Sequence, residues 1–253
     1  MAYAVLTREV DATSAYATTL AAIGLDVIAM PVTRTEPPRD QAALARALEA
    51  PFAAIVVASA RGAAALAAAR GAHALPDVWA VGPATQRALH AAGIDARIAE
   101  GAADAAALAH AILAERDLAG RRVLVPRAED GREEAIEILR AAGVEVVDVV
   151  AYRTVAAPPD DEALARGRDL LLAGDAAACV VFAPSQVRAL AGIVGPLAEV
   201  RTAWIAIGDT TGAVLREAGI GRVSVAATPT PEGVANAVAA VYPPPGGHPR
   251  QPT

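Results

Sequence analysis

The chain has 253 residues, enough for one large or two small domains with cores of their own. It is 55% hydrophobic but only 3% aromatic, so Ala, Val, Leu and Ile must build those cores, and no apolar run approaches the roughly 20 residues of a membrane span. A net charge of −6 argues against a general nucleic-acid or anionic-membrane surface while leaving room for a local anion pocket, and the lone Cys179 excludes an internal disulfide or a multi-cysteine zinc site.

In chain order, Val5-Leu6 opens a strand, Ala15 to Ile23 reads as a helix, and Gly24 suits its C-cap. Val27 to Val32 is a strand, TRTEPPRD a polar linker, and Gln41 to Glu49 a helix. Strand Ala53 to Val57, helix Arg61 to Ala69, strand Trp79 to Val81, helix Thr85 to Ala92, a short strand at Arg97-Ile98 and helix Ala105 to Arg116 follow. The second half gives strand Val123 to Val125, helix Glu133 to Ala142 and strand Val144 to Ala151. After a second linker come helix Asp161 to Leu172, strand Cys179 to Phe182, a helix after Ser185, strand Trp204 to Ile207 and helix Thr211 to Ala218. Strand Val223 to Val225 and helix Pro231 to Tyr242 complete the pattern, with Pro231 in the first helical turn. Residues 244–253 have a disordered composition and are expected to lie outside the fold.

The two halves repeat one another. AVGPATQRALHAAGI from Ala80 matches AIGDTTGAVLREAGI from Ala206, an offset of 126, and GLDVIAMPVTRTEPP from Gly24 matches GVEVVDVVAYRTVAAPP from Gly143, an offset of 119. IVVASARGAAAL from Ile55 pairs more loosely with VVFAPSQVRAL from Val180. Apolar strands alternating with amphipathic helices predict parallel sheets covered on both faces, two of them and doubly wound. The Pro-rich linkers fall at equivalent repeat positions. Two arrangements satisfy this: discontinuous domains with two chain crossings, or tandem domains divided near Gly120.

In doubly wound sheets ligands bind at the carboxyl ends of strands, beside helix N-termini. Small polar residues and arginines cluster there: Thr7-Arg8, Ser59-Ala60-Arg61, Pro83-Ala84-Thr85, Pro126-Arg127, Pro184-Ser185, Asp209-Thr210-Thr211 and Thr228-Pro229-Thr230. Each alone reads as helix capping. As a set, free N–H groups with hydroxyls and guanidinium groups form an anion site for carboxylates or phosphates. Lysine is absent, which rules out a P-loop, and neither a dinucleotide fingerprint nor a nucleophile elbow occurs. The four histidines lack metal-ligand spacing. An enzyme here would work without a cofactor, by positioning and acid–base chemistry. Tyr152 suits that: its phenol can hydrogen-bond a leaving hydroxyl at the end of a buried strand, facing a cleft, and its counterpart in the first half is Thr33.

VLTR near the start, VVASARGAAAL, AVGPATQRAL, VLVPRAEDGREEAIEILRAAGVEV, VVAYRT, VVFAPSQVRAL, AIGDTTGAVLREAGI and ATPTPEGVANAV, in that order from about Val5 to Tyr242, resemble the uroporphyrinogen-III synthase family. Val57-Ala58 and Ala183 depart from its frequent residues. The resemblance implies two flavodoxin-like α/β domains joined by a two-stranded linker: residues 1–33 with 160–243, residues 39–152, and linkers 34–38 and 153–159. It implies cyclisation of hydroxymethylbilane with inversion of the terminal pyrrole ring and loss of water, through an azafulvene cation and a spiro intermediate, with no cofactor. Tyr152 then assists departure of the hydroxyl. Arg8, Ser59, Thr85, Arg127, Ser185, Thr210, Thr211 and Thr230 are the expected substrate-binding residues, with Arg8 and Arg127 either carboxylate partners or members of surface salt bridges. The expected state is a cytoplasmic monomer, free of nucleic acid and membrane, in transient contact with the enzyme supplying hydroxymethylbilane. The alternative is a cytoplasmic two-domain module that senses a carboxylated or phosphorylated small molecule.

Overall fold

Runs rich in Val, Ile and Ala form the strands, and the Ala/Leu-rich stretches between them coil with one apolar stripe. A computed structural model describes residues 2–11, 13–102 and 104–242; the expected tail, and residue 243, lie outside them. The strands are β1 (Ala2–Leu6), β2 (Leu25–Ala29), β3 (Thr33–Glu36), β4 (Ala54–Val57), β5 (Asp77–Ala80), β6 (Arg122–Ala128), β7 (Glu145–Ala156), β8 (Ala176–Val181), β9 (Ala203–Ala206) and β10 (Val223–Val225). The helices are α1 (Ala15–Ala21), α2 (Ala43–Leu48), α3 (Ala60–Ala69), α4 (Gly82–Ala91), α5 (Ala105–Glu115), α6 (Glu134–Ala141), α7 (Glu162–Ala173), α8 (Pro184–Val194), α9 (Asp209–Glu217) and α10 (Pro231–Ala239).

The strands form two five-stranded sheets, ordered β10-β9-β8-β1-β2 and β3-β7-β6-β4-β5. Pairing is parallel throughout the first sheet and from β7 through β6 and β4 to β5 in the second. Each half of the chain sends its first two long strands to one sheet and its later strands to the other. β1 and β2 therefore join β8, β9 and β10, while β6 and β7 join β4 and β5. The chain divides accordingly into two compact units, one of residues up to Arg34 with those from Val155 onward, the other Thr35–Thr154.

Three elements differ from expectation. Thr33–Glu36, read as linker, is a strand beside β7. Its β-branched Thr33 and Thr35 suit that role, and Pro37 ends it. β7 runs on past Ala151 to Ala156, because Thr154 and Val155 favour extended backbone and β3 supplies a partner. The Ala157 N–H donates to the Val32 carbonyl at 2.9 Å, and Arg153 pairs with Glu36 at 2.6 Å. Numbers thus rise along one strand as they fall along the other, the antiparallel sense. Arg97-Ile98 is reduced to one parallel bridge, Arg97 to Trp79.

Alternate strand residues enter separate cores on the two faces of each sheet. In the first unit Val5, Cys179 and Trp204 pack with α7, α8 and α9, whereas Ala4, Leu6, Val180 and Ile205 pack with α1 and α10. In the second, Ile55, Val57, Leu124 and Val149 pack with α2, α3 and α4, and Val56, Trp79, Val123 and Val125 with α5 and α6. Burial pushes the Cys179 thiol pKa far above its ordinary value, so it is neither a thiolate nucleophile nor a metal ligand in the folded state. Iodoacetamide at neutral pH is accordingly expected to label Cys179 only as fast as the unit unfolds. Labelling of native protein at the rate of a free thiol, followed by mass spectrometry, would contradict its enclosure.

Candidate active site

Because β4, β5, β6 and β7 are parallel, their carboxyl ends share one edge of the second sheet. The strand order reverses between β6 and β4, where such sheets open a crevice. Ser59 follows β4 and is the N-cap of α3, its Oγ accepting the Gly62 N–H at 3.0 Å. The helix-capping reading is thus right for Ser59, yet incomplete. The same Oγ lies 2.9 Å from the Tyr152 hydroxyl, 93 residues further along the chain. A hydroxyl can accept two hydrogen bonds and donate one, so Ser59 can cap the helix and bond the phenol at once.

Tyr152 reaches that face through an irregularity. Along β7 and the residue before it, Val147, Val149 and Ala151 belong to the core under α3, and Val144 and Val146 to the core under α5 and α6. Strict alternation would send Tyr152 to the α5–α6 side. Instead the register slips: Arg127 pairs with Val150, but Ala128 pairs with Tyr152. Ala151 is the extra residue of a bulge, and Tyr152 packs against the same core as Ala151, on the α3 side. The backbone is tied there by the Glu129 N–H, which donates to the Tyr152 carbonyl at 2.9 Å.

Of the two roles expected for Arg127, the structure shows it in salt bridges. Its guanidinium has five N–H groups, and all five are used. Nε and Nη2 donate to Asp148 at 2.7 and 2.9 Å, Nη2 to Glu133 at 3.1 Å, and Nη1 to the carbonyls of Ala128 and Glu129 at 3.0 and 2.9 Å. The side chain is only 14% exposed, and the Asp148 hydrogen bond raises its pKa above the ordinary value. No donor remains for an incoming carboxylate. Arg127 is a structural clamp.

Arg8, which follows β1 at the reversal of the first sheet, is the opposite case. It is exposed and lies over the rings of Tyr16 and Phe182, 5.6 and 5.1 Å from their centroids, and no carboxylate among the described residues pairs with it. Beside it, Thr7 and Gln186 do work that the sequence did not reveal. Gln186 Oε1 accepts the Phe182 N–H at 2.9 Å and lies 2.7 Å from the Thr7 hydroxyl, which also reaches the Val180 carbonyl at 3.0 Å. The N-cap of α8 is Ala183, which has no capping side chain, so the first-turn N–H groups of α8 stay open while Gln186 satisfies the Phe182 N–H just before the helix. Gln186 is the third residue of α8 as Gly62 is of α3, and a glycine there has no side chain to suggest this role.

Of the other candidates, Thr230 is a plain N-cap for α10, accepting from Gly233 N–H at 3.1 Å. Ser185, Thr210, Thr211 and Thr85 are not caps: α8, α9 and α4 begin without side-chain capping bonds, leaving backbone N–H groups open. Thr85 and Thr211 occupy equivalent positions, and both are buried, at 4% and 3% exposure. Neither hydroxyl bonds a described residue. Ser185 is half-buried and Thr210 exposed. Each sheet thus gathers hydroxyls and open helix N-termini along its carboxyl edge, an arrangement that holds anions, and the second adds the Tyr152 hydroxyl paired with Ser59. Among the described residues no cluster of three His, Cys, Asp or Glu could hold a metal ion, and no helix is long and apolar enough to cross a membrane.

The family model described as uroporphyrinogen-III synthase HemD matches residues 14–236. No curated protein sequence gives a significant match. Among solved structures, uroporphyrinogen-III synthetase from Helicobacter pylori aligns with a TM-score of 0.65 at 16% identity, over 95% of this chain and 99% of that one. A triple mutant of uroporphyrinogen III synthase from Thermus thermophilus aligns with a TM-score of 0.57 at 20% identity, over 95% and 98%. At those identities the likeness is one of α/β fold; the match over most of the sequence carries more. The chain belongs to the uroporphyrinogen-III synthase family, whose work is tetrapyrrole biosynthesis.

Proposed function

We propose that this chain acts as a cyclising hydro-lyase on hydroxymethylbilane, with Tyr152 as the acid at the departing hydroxyl. The observation that carries this reading is the 2.9 Å contact between Tyr152 and Ser59 at the carboxyl edge of the second sheet. With Ser59 accepting from Gly62 N–H and donating to Tyr152 Oη, the phenol hydrogen is left for the substrate. The C–O bond of the hydroxymethyl group breaks and its oxygen leaves as water with the phenol proton. The pyrrole nitrogen feeds the azafulvene cation, and the Ser59 hydroxyl steadies the phenolate. Attack by the substituted carbon of the terminal ring gives the spiro intermediate, and loss of a proton after rearrangement restores the phenol.

The substrate's acetate and propionate groups supply the charge that the open N-termini of α4, α8 and α9 and the unneutralised Arg8 attract. Ser185, Thr85, Thr210 and Thr211 add hydroxyl donors, and Thr230 stands at the start of α10. That an acidic protein takes a polyanion is no contradiction, because the local field at the binding groups decides. The sheet order of the first unit, which in its own strand sequence reads 2-1-3-4-5, supports a flavodoxin-like assignment. On this reading the domains are residues 1–33 with 160–243, and 39–152, joined by crossings at 34–38 and 153–159. The enzyme works as a cytoplasmic monomer and meets the enzyme that makes hydroxymethylbilane only transiently.

Hydroxymethylbilane incubated with the protein is expected to yield the III isomer on chromatography; the I isomer alone, at the spontaneous rate, would sink the assignment. Tyr152→Phe is expected to lower kcat by about two orders of magnitude with an unchanged melting temperature. Unaltered kcat would reduce Tyr152 to packing. Ser59→Ala removes the cap as well as the phenol's partner, so both readouts move: kcat falls less than in Tyr152→Phe, and stability drops by about 1 kcal/mol. Loss of stability with kcat intact would leave Ser59 a cap and nothing more.

A further inference from the structure

We infer that Arg127 and Asp148 are positioning residues for Tyr152, holding from the far face of the sheet the one-residue bulge that turns the phenol toward Ser59. The inference rests on the reading of Tyr152 as the acid.

The clamp and the phenol lie on opposite faces. On β6, Leu124 enters the core under α3, while Val123 and Val125 enter the core under α5 and α6. Alternation places Arg127 with the second set, and on β7 it places Asp148 with Val144 and Val146. Tyr152 packs on the α3 side. Arg127 therefore cannot act on the reaction by touching the phenol, and its donors are already used.

The clamp grips the segments between which the register slips. Arg127 Nη1 holds the carbonyls of Ala128 and Glu129, the residues whose backbone meets Tyr152: Ala128 as its register partner, Glu129 through the 2.9 Å bond to its carbonyl. Nε and Nη2 hold Asp148, which lies before the slip on the partner strand. One guanidinium thus ties β6 beyond the slip to β7 before it. Removing it frees β7 to return Tyr152 to regular alternation, on the wrong face.

The other copy of the repeat supports this. With the offset of 119, Arg127 corresponds to Arg8, Asp148 to Ala29 and Tyr152 to Thr33. In that copy the β1–β2 ladder ends at Leu6 with Ala29, before it reaches Arg8, and Arg8 has no carboxylate partner among the described residues. The bidentate partner and the phenol occur together in one copy and are together missing from the other.

The test uses the full-length protein carrying Arg127→Met or Arg127→Lys, each alone and combined with Tyr152→Phe. Kinetics on hydroxymethylbilane are paired with NMR of tyrosines labelled at Cζ. Lysine keeps a charge opposite Asp148 but not the five-donor fork, so it serves should the methionine variant fail to fold. Arg127→Met is expected to lower kcat roughly ten- to a hundredfold with KM little changed. In the Tyr152→Phe background the same substitution should cost no more than about twofold further, because the group it positions is gone. The Tyr152 Cζ signal, identified by its loss in Tyr152→Phe, should move as it does in Ser59→Ala, while those of Tyr3 and Tyr16 stay in place. Equal losses of kcat in both backgrounds, or a Tyr152 signal that does not move, would overturn the proposal. Full kcat in Tyr152→Phe alone would remove the acid role. The signal then decides the clamp by itself: moved, it positions the phenol; unmoved, it does not.

Discussion

The hydrogen bond between Tyr152 and Ser59 is where the strand order, the start of α3 and the irregular end of β7 meet. Its net contribution to stability is about 1 kcal/mol, far too small to organise a fold. The dependence runs the other way. α3 must begin directly after β4, its first turn must lie close to β6, and β7 must slip by one residue. Gly62 permits the second of these, since a Cβ there would come within 3.3 Å of the Pro126 carbonyl and 3.4 Å of Ser59 Oγ. Nearly the whole second unit is required to place two hydroxyls 2.9 Å apart.

The first unit shows the same scaffold without that demand. Ala183 and Gln186 are the N-cap and third residue of α8, where α3 has Ser59 and Gly62. The glutamine turns inward to satisfy the Phe182 N–H and the Thr7 hydroxyl, so the strand end is stitched shut. At the corresponding place in the second unit, Ser59 leaves its oxygen shared between backbone and phenol. Both units keep a buried threonine, Thr85 or Thr211, at the start of the neighbouring helix. A duplicated frame that keeps open helix N-termini and buried threonines in both units and diverges at the Ser59–Tyr152 contact fits the proposed single chemical event on a substrate bearing many carboxylates.

Most strands and helices were legible because each obeys a local rule: β-branched runs between glycine caps, and apolar residues at helical spacing. β3 was not, since TRTE is polar and acquires its extended form from pairing with β7. The bulge was hidden for a deeper reason. In VEVVDVVAYRTV the hydrophobic pattern continues through Ala151, and a one-residue slip leaves no trace in composition. Only the neighbour's register reveals it. Tyr152 and Ser59 could each be picked out from residue type and place. Their contact could not, because 93 residues separate them and the face that Tyr152 takes is set by the slip.

The two strand-end arginines show why counting charges says little about anion binding. Arg127 and Arg8 stand at equivalent repeat positions, and from sequence they had equal claims. Arg127 is neutralised by Asp148 and Glu133 and spends its remaining donors on carbonyls. Arg8 is held by ring faces instead, Tyr16 and Phe182 standing edge to face with centroids 5.2 Å apart. A cation over an exposed ring gains about 0.5–1 kcal/mol. That is enough to bias the side chain toward one place, yet it cancels neither charge nor hydrogen-bond donors. A carboxylate anchor would hold Arg8 more firmly and make it useless to an anion. The positions equivalent to the Arg127 partners Asp148 and Glu133 are Ala29 and Ser14, so two residue differences separate a guanidinium that builds the fold from one without a carboxylate partner.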